Sequence, residues 1–430
     1  MAAQLKDRPP FPLRDAHLHL PEHGEALSMV GLEDCAGVDE CLTRISGAAA
    51  GAPAGAWLQA RGARVQAWRE RRFPTACELH DASGGRLVVV RSFDHHAIAV
   101  SDAVLSLSGI NAATPDPAGG VIVRSGGSGS APSGTLLESA CGLVWRVMPE
   151  PTRAERTGFI WAALADLAQR GFVEVHDMFT QRWQVEILRE LERTGELSMR
   201  VRLYATREHF DGVQRSVGEA PMENVTLGGL KMFADGTLNS RTASMLSPFV
   251  EGMPEHPCGT PLLSFDQIVD GLRLARAASV HAAIHAIGDR AVRTVLDAIE
   301  SESDALPPHR IEHAQFVDPA DIPRFASLGA IASMQPCHLL ADVEAIQRFA
   351  PHAAERAFPL RSLVEAYRAA GMDPAAWVWL GSDTPVVPPD PLDNIQAAVH
   401  RRRRDADDGG EIGAVQAVEE SLAWSLMRGA

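Results

Sequence analysis

Short apolar runs rich in β-branched residues recur along the chain, and stretches with helical spacing of apolar positions separate many of them. The runs that predict strands are residues 172–177, 200–205, 229–234, 281–285, 310–313, 330–335 and 378–383. Helix-period segments such as 181–193 and 290–300 lie between them. Strand–helix alternation of this kind predicts a parallel α/β fold. A further run at 13–19 makes eight strands, the number that closes a (β/α)8 TIM-like barrel.

One long stretch breaks the alternation. Residues 47–56 are a low-complexity Gly/Ala/Pro run, 114–134 are rich in Gly, Ser and Pro, and 87–90 form an isolated apolar run expected to be a strand. The expectation is therefore a single barrel domain over 1–430 that carries residues 21–170 as an insertion subdomain between barrel strands one and two. Chain length supports this. From Leu13 to Asp383 is 371 residues, and without the 150 of the insertion 221 remain, close to the ~250 of a bare barrel.

Composition narrows the function classes. The chain has 55 acidic and 40 basic residues and a formal charge of -15, which argues against a nucleic-acid or anionic-membrane partner. Residues 1–10 hold no apolar signal core, and no apolar run reaches membrane-spanning length. Six cysteines lie far apart without a Cys-x-x-Cys pair, so free thiols in a reducing cytoplasm are expected. The four arginines at 401–404 precede Asp405, Asp407 and Asp408 and read as a solvated helix end. Residues 126–130 lack a Gly-Lys-Ser/Thr sequel and read as a turn rather than a phosphate loop. Sixteen histidines against two tyrosines is the odd count.

The candidate chemistry lies where strands end and loops begin. The first strand ends in Asp15-Ala16-His17-Leu18-His19, and residues two apart point to the same side, so His17 and His19 can reach one ion. The fourth contains Lys231, which inside an apolar strand must snorkel, pair or lose its charge. The fifth carries His281 and His285, of which His285 is nearer the end, just before Gly288-Asp289 open a capped helix. The sixth ends in Glu312-His313 and the eighth in Ser382-Asp383. A lone buried histidine is usually a hydrogen-bonded core residue, and a strand-terminal aspartate is usually a cap. As an ordered set at the C-terminal ends of strands one, four, five, six and eight, they point to one metal centre.

These motifs are similar to those of the amidohydrolase superfamily, and within it amidohydrolase family 3, the YtcJ-like metal-dependent hydrolases. The resemblance rests on Asp15-Ala16-His17-Leu18-His19-Leu20, on Gly229 to Gly236 followed by Ser240-Arg241-Thr242-Ala243, and on His285 to Val292. It continues through Ile311-Glu312-His313-Ala314-Gln315 and Gly381 to Val386, with Asp94-His95-His96-Ala97 and Gly134 to Glu138 in the insertion. It runs from about Asp15 to Arg401. Two departures stand out. Only fourteen residues precede Asp15 and the sequence stops at Ala430, so the family's flanking β-sandwich is expected to be missing or vestigial. Asn239 stands where the family usually has glycine, a change expected to act on a loop near the site.

The resemblance implies a hydrolase with one or two divalent ions, zinc being expected. In the two-ion arrangement His17, His19 and Asp383 hold the first ion and His285 and His313 the second. Lys231, carboxylated by carbon dioxide, bridges them. Asp383 also serves as general base while metal-activated hydroxide attacks a C–N bond of the amide type in a small molecule. Glu138 is a second candidate carboxylate, and His96, Arg241 and Gln335 are candidates for substrate or supporting contacts. Two other readings stay open. One is a deaminase of a cyclic amine using a single ion on His17, His19, His285 and Asp383; the other is a non-catalytic binding or regulatory protein on the same barrel. A homo-oligomer is also left open.

Overall fold

The computed structural model describes residues 11–53, 55–65, 67–93, 97–117, 120–126, 130–253, 255–302, 308–403 and 411–429. The chain divides into two compact units, residues 25–156 and the remainder. The larger unit is built on eight strands: β1 (Leu13–Leu18), β8 (Phe172–Asp177), β9 (Arg200–Thr206), β10 (Val225–Phe233), β11 (His281–Ala286), β12 (Arg310–His313), β13 (Ile331–Met334) and β14 (Val378–Leu380). They pair in that order, and every pair is parallel. Backbone bonds from Asp383 N to His17 O (2.7 Å) and from His19 N to Thr384 O (3.0 Å) join the last strand's end to the first. The result is the (β/α)8 TIM-like barrel.

The strands are buried nearly end to end, as expected of a parallel sheet covered on both faces. The intervening helices present one apolar face. In Arg182–Thr194, Val185, Leu188 and Leu191 are buried; in Asp289–Ser301, Val292, Val295, Leu296 and Ile299 are. Both helices lie within a residue of their predicted bounds. Gly288 caps the second without a side chain, and Asp289 instead accepts from Leu246 N and pairs with Arg356.

The unit of residues 25–156 carries a six-stranded sheet that the sequence pattern largely concealed. Its strands are β2 (Val30–Gly31), β3 (Trp57–Ala63), β4 (Leu87–Ser92), β5 (Ala97–Val100), β6 (Gly120–Arg124) and β7 (Pro132–Glu138), ordered β2-β3-β4-β5-β7-β6. The first two pairings are parallel and the others antiparallel. Alternation along β4 sends Val88 and Val90 into one apolar cluster and Val89 into another, so the sheet is covered on both faces. The low-complexity run begins inside a helix, Val38–Gly51. Gly134 is required at β7, because its φ is 102° and a Cβ there would lie 2.7 Å from Val100 O. Every named strand outside the barrel belongs to this sheet, so among the described residues no flanking sandwich is present. No helix among the described residues is long and apolar enough to cross a membrane, and all six cysteines are free.

The arginine run departs from expectation. Arg401 is not solvated but fully buried, in left-handed backbone (φ 55°) at the end of the helix Pro391–His400. Its guanidinium donates to Ile412 O (3.0 Å), Phe358 O (3.2 Å) and Ala357 O (2.6 Å). Burial lowers its pKa to about 10, still fully charged at neutral pH. Arg403 pairs with Glu344 at 2.6 Å, and Arg404 and residues 127–129 of the glycine-rich turn lie outside the described residues. Replacing Arg401 by Met keeps the apolar stem but strands three carbonyls. The expected loss is about 3 kcal/mol, from charged hydrogen bonds worth roughly 1.5–3 kcal/mol each and only partly replaced by water. Thermal melting monitored by circular dichroism checks this; a Tm equal to that of the wild type would show that the three bonds are idle.

Candidate metal centre

β1 carries His17, with His19 just past its end, and the Asp15 carboxylate staples that end to the segment after β14. Asp15 Oδ1 accepts from His17 N (3.1 Å) and from Ser382 N (3.0 Å). Gly381 permits the approach, since a Cβ there would stand 2.5 Å from His17 N. Asp383 follows with φ 61°, a left-handed backbone that aims its carboxylate at the histidines. Asp383 Oδ1 lies 3.1 Å from His19 Nε2 and 3.4 Å from His17 Nε2.

β12 contributes next. Arg310 and Glu312 alternate onto one side of the strand, and a positive φ of 70° at His313 turns the following side chain. The His313 ring stands 4.9 Å from that of His17 and 4.5 Å from that of His285. His285 ends β11 nearby, with Nε2 3.1 Å from Gly236 O. Asp235 holds that corner by accepting from Ser244 N, Ile287 N and Gly288 N. Lys231 is buried in β10, its ammonium 5.0 Å from the Phe233 ring centroid.

Burial sets the protonation states. It lowers His17 to about 4 and His285 to about 3, with the Lys231 charge adding to both, and it pushes His313 well down. Burial lowers Lys231 to about 8, although Glu312 and Asp383 pull the other way. For Asp383, burial opposes ionisation, yet His17 and His19 prevail and hold it well below the usual carboxylate range. The same contact raises His19 against its own desolvation.

Two groups of donors converge: His17, His19 and Asp383, and His313, His338 and Asp383, the donor atoms of each group lying within 4.8 Å of one another. His313 Nδ1, His338 Nε2 and Asp383 Oδ1 are buried and, among the described residues, lack aligned hydrogen-bond partners despite their short mutual contacts. Buried donor atoms that gather without satisfying one another are what a cation would satisfy. Neutral imidazoles beside an ionised carboxylate fit a divalent ion of borderline softness.

Beneath the donors runs a fully buried polar column. His17 Nδ1 meets Glu312 Oε2 at 2.7 Å, and Arg310 Nε stands 2.8 Å from Glu312 Oε1. Arg310 also donates to His176 Nδ1 (2.8 Å), Tyr204 Oη (2.8 Å), Ser333 Oγ (2.9 Å) and Ala16 O (2.6 Å). Since His176 Nδ1 accepts, its Nε2 carries the proton donated to Glu174 (3.0 Å). Opposite charge outweighs burial at Glu312 and keeps it ionised, so His17 donates from Nδ1 and presents Nε2 to the centre.

The remaining candidates lie as follows. Gln335 is buried at the end of β13, with Nε2 3.4 Å from Ser333 O and Oε1 unpaired among the described residues. Arg241 packs over Phe349 and donates to Glu251 O (3.0 Å), tying a loop after β10. Glu138 is exposed at the end of β7 in the other unit. His96 lies outside the described residues. His338, Arg310 and Glu312 were given no role by sequence reasoning. For Glu312 the signal was present, an acid two residues beyond Arg310 in an inward-facing pair.

Comparison with known proteins bears on the fold and the family. The amidohydrolase family model matches residues 12–423. The YtcJ protein of Bacillus subtilis is 29% identical over 418 residues, spanning 92% of this chain and 74% of its own. An N-substituted formamide deformylase of Arthrobacter pascens is 27% identical over 410 residues, spanning 90% and 72%. The crystal structure of an uncharacterized metal-dependent hydrolase from Pyrococcus horikoshii superposes with a TM-score of 0.74 at 24% identity, covering 96% of this chain and 78% of that one. The fold is shared, and the chain belongs to the amidohydrolase family.

Proposed function

We propose that this chain is a metal-dependent amidohydrolase that cleaves an amide-type C–N bond of a small molecule. The observation that carries the reading is the convergence of two donor groups on one carboxylate, Asp383, at the C-terminal end of the barrel. That is the end where barrel enzymes place their chemistry. A relative named for N-substituted formamide deformylation is consistent with this bond class.

His17, His19 and Asp383 would hold one ion, and His285 and His313 with Lys231 would serve a second. A bound zinc ion supplies Lewis acidity, lowering the pKa of water and polarising a carbonyl. The chain's own residues do the rest. Glu312 fixes the His17 ring so that Nε2 faces the centre. The Asp383 carboxylate, held ionised, accepts the proton of the attacking water and returns it to the leaving nitrogen. Lys231, its amine made easier to deprotonate by burial, is suited to add carbon dioxide, releasing a proton and gaining an anionic carbamate. The substrate is a small molecule, and the acidic net charge gives no face for nucleic acid.

Two outcomes are expected. Elemental analysis of purified protein should find a tightly held divalent ion. Chelation or His17→Ala should then lower hydrolysis of the best substrate in a panel of formamides, N-acyl amines and N-acyl amino acids by at least ~100-fold, against the 10–100-fold seen for outer-sphere changes. Hydrolysis that survives both treatments would sink the proposal.

The second concerns pH. His17 and His285 have folded pKa values of about 4 and about 3, below the ordinary value near 6.5. Between those limits the unfolded chain binds protons that the folded chain does not, so apoprotein stability falls as pH drops from 6.5 toward 4. His19, raised by Asp383, and the buried carboxyls of Asp15, Asp177 and Asp235, raised by desolvation, work the other way, but His176, His281, His309 and His313 are lowered by burial as His17 and His285 are. The Tm of chelated protein should be lower at pH 5 than at pH 7, and an equal or higher value would contradict the buried neutral state.

A further inference from the structure

We infer that His338 is a metal ligand, joining His313 and Asp383 in a site that neither the strand-end pattern nor the family motifs assign. The inference rests on the metal-dependent reading above and adds a donor from the seventh strand's loop. His338 opens the helix His338–Phe349, four residues beyond the end of β13. Its Nε2 is buried, lacks an aligned hydrogen-bond partner among the described residues and lies 3.6 Å from Asp383 Oδ2. The ring is 5.9 Å from that of His313, whose Nδ1 is likewise unpartnered among the described residues.

The surrounding structure holds His338 in place from two directions. Asn394 accepts from Cys337 N (3.2 Å) and donates to Gly381 O (3.1 Å), so one side chain locks the turn before His338 to the segment that carries Asp383. Further along the same helix, buried Asp342 accepts from Gln315 Nε2 (2.9 Å), two residues beyond His313, and from Asn239 Nδ2 (2.8 Å). Asn239 is the position where the family usually has glycine. A glycine could not make that bond, so the substitution in this chain adds a clamp on the helix that presents His338. Asn239 and Asp342 are thus positioning residues, and His338 is the ligand they serve.

The test uses full-length protein and zinc, with affinity read by competition against a chromophoric chelator and the cobalt-substituted protein read by its visible spectrum. His338→Ala is expected to weaken binding of one ion by at least tenfold and to alter the cobalt spectrum. His338→Cys, which restores a zinc donor, should recover much of the affinity. Asn239→Gly should weaken the same ion more mildly. His338→Gln, closer in shape, replaces the alanine variant if far-UV circular dichroism shows that the latter is unfolded. Binding and spectra identical to wild type in the folded His338 variant would overturn the inference and leave the hydrolase reading standing. Metal uptake that depends on His338 without hydrolysis of any panel amide would do the reverse. A wild-type protein that takes up no ion would overturn both.

Discussion

The pairing of Arg310 with Glu312 is the constraint on which the centre depends. Both side chains are fully buried, where an unpaired charge would cost several kcal/mol. Arg310 therefore has to spend its donors on partners around it, and those partners come from five strands: Ala16, His176, Tyr204, Glu312 and Ser333. It also stacks on Trp379 and on the Tyr204 ring. The barrel interior is thus keyed by one cation, and Glu312, kept ionised by it, fixes the tautomer of His17. Removing either charge would leave the other stranded and release the histidine above.

A second constraint operates at the seam. Asp15, Gly381 and the backbone bond from Asp383 to His17 bring the first and last strands together, and the donors sit at that join. Positive φ at His313 and Asp383 costs roughly 1–3 kcal/mol each. The packed interior below absorbs that cost, which is how side chains that strand alternation would point elsewhere come to face the centre.

Much of this was legible beforehand. Eight apolar runs identified the barrel strands, two of them to the residue and the others within a few positions, because buried parallel strands are apolar on both faces. His17, His19, His285, His313 and Asp383 stood out because polar residues that end such runs are conspicuous. His338 did not, because Pro336 and Cys337 turn the chain after β13 and carry it beyond the strand end that periodicity marks. Glu312 lay in plain view, but its role appears only when β1 and β12, not neighbours in the sheet, meet across the interior. The sheet of residues 25–156 was hidden for another reason. Its strands mix parallel and antiparallel pairing and are broken by Gly, Ala and Ser, so only the Val-rich core of β4 carried a clear signal. Arg401 was misread because charge runs are normally solvated, and no local pattern announces three carbonyls waiting across the fold.

The staple between Asp15 and Ser382 joins residues 367 positions apart. Contacts of such separation form late, since the chain must close a very large loop before they return any energy. A nascent chain leaving the ribosome therefore carries His17 and His19 long before Asp383 exists, and the three can converge only once the last strand is complete. Of the converging donors Asp383 is the last to be made, so the order of synthesis sets the order in which the candidate centre can assemble.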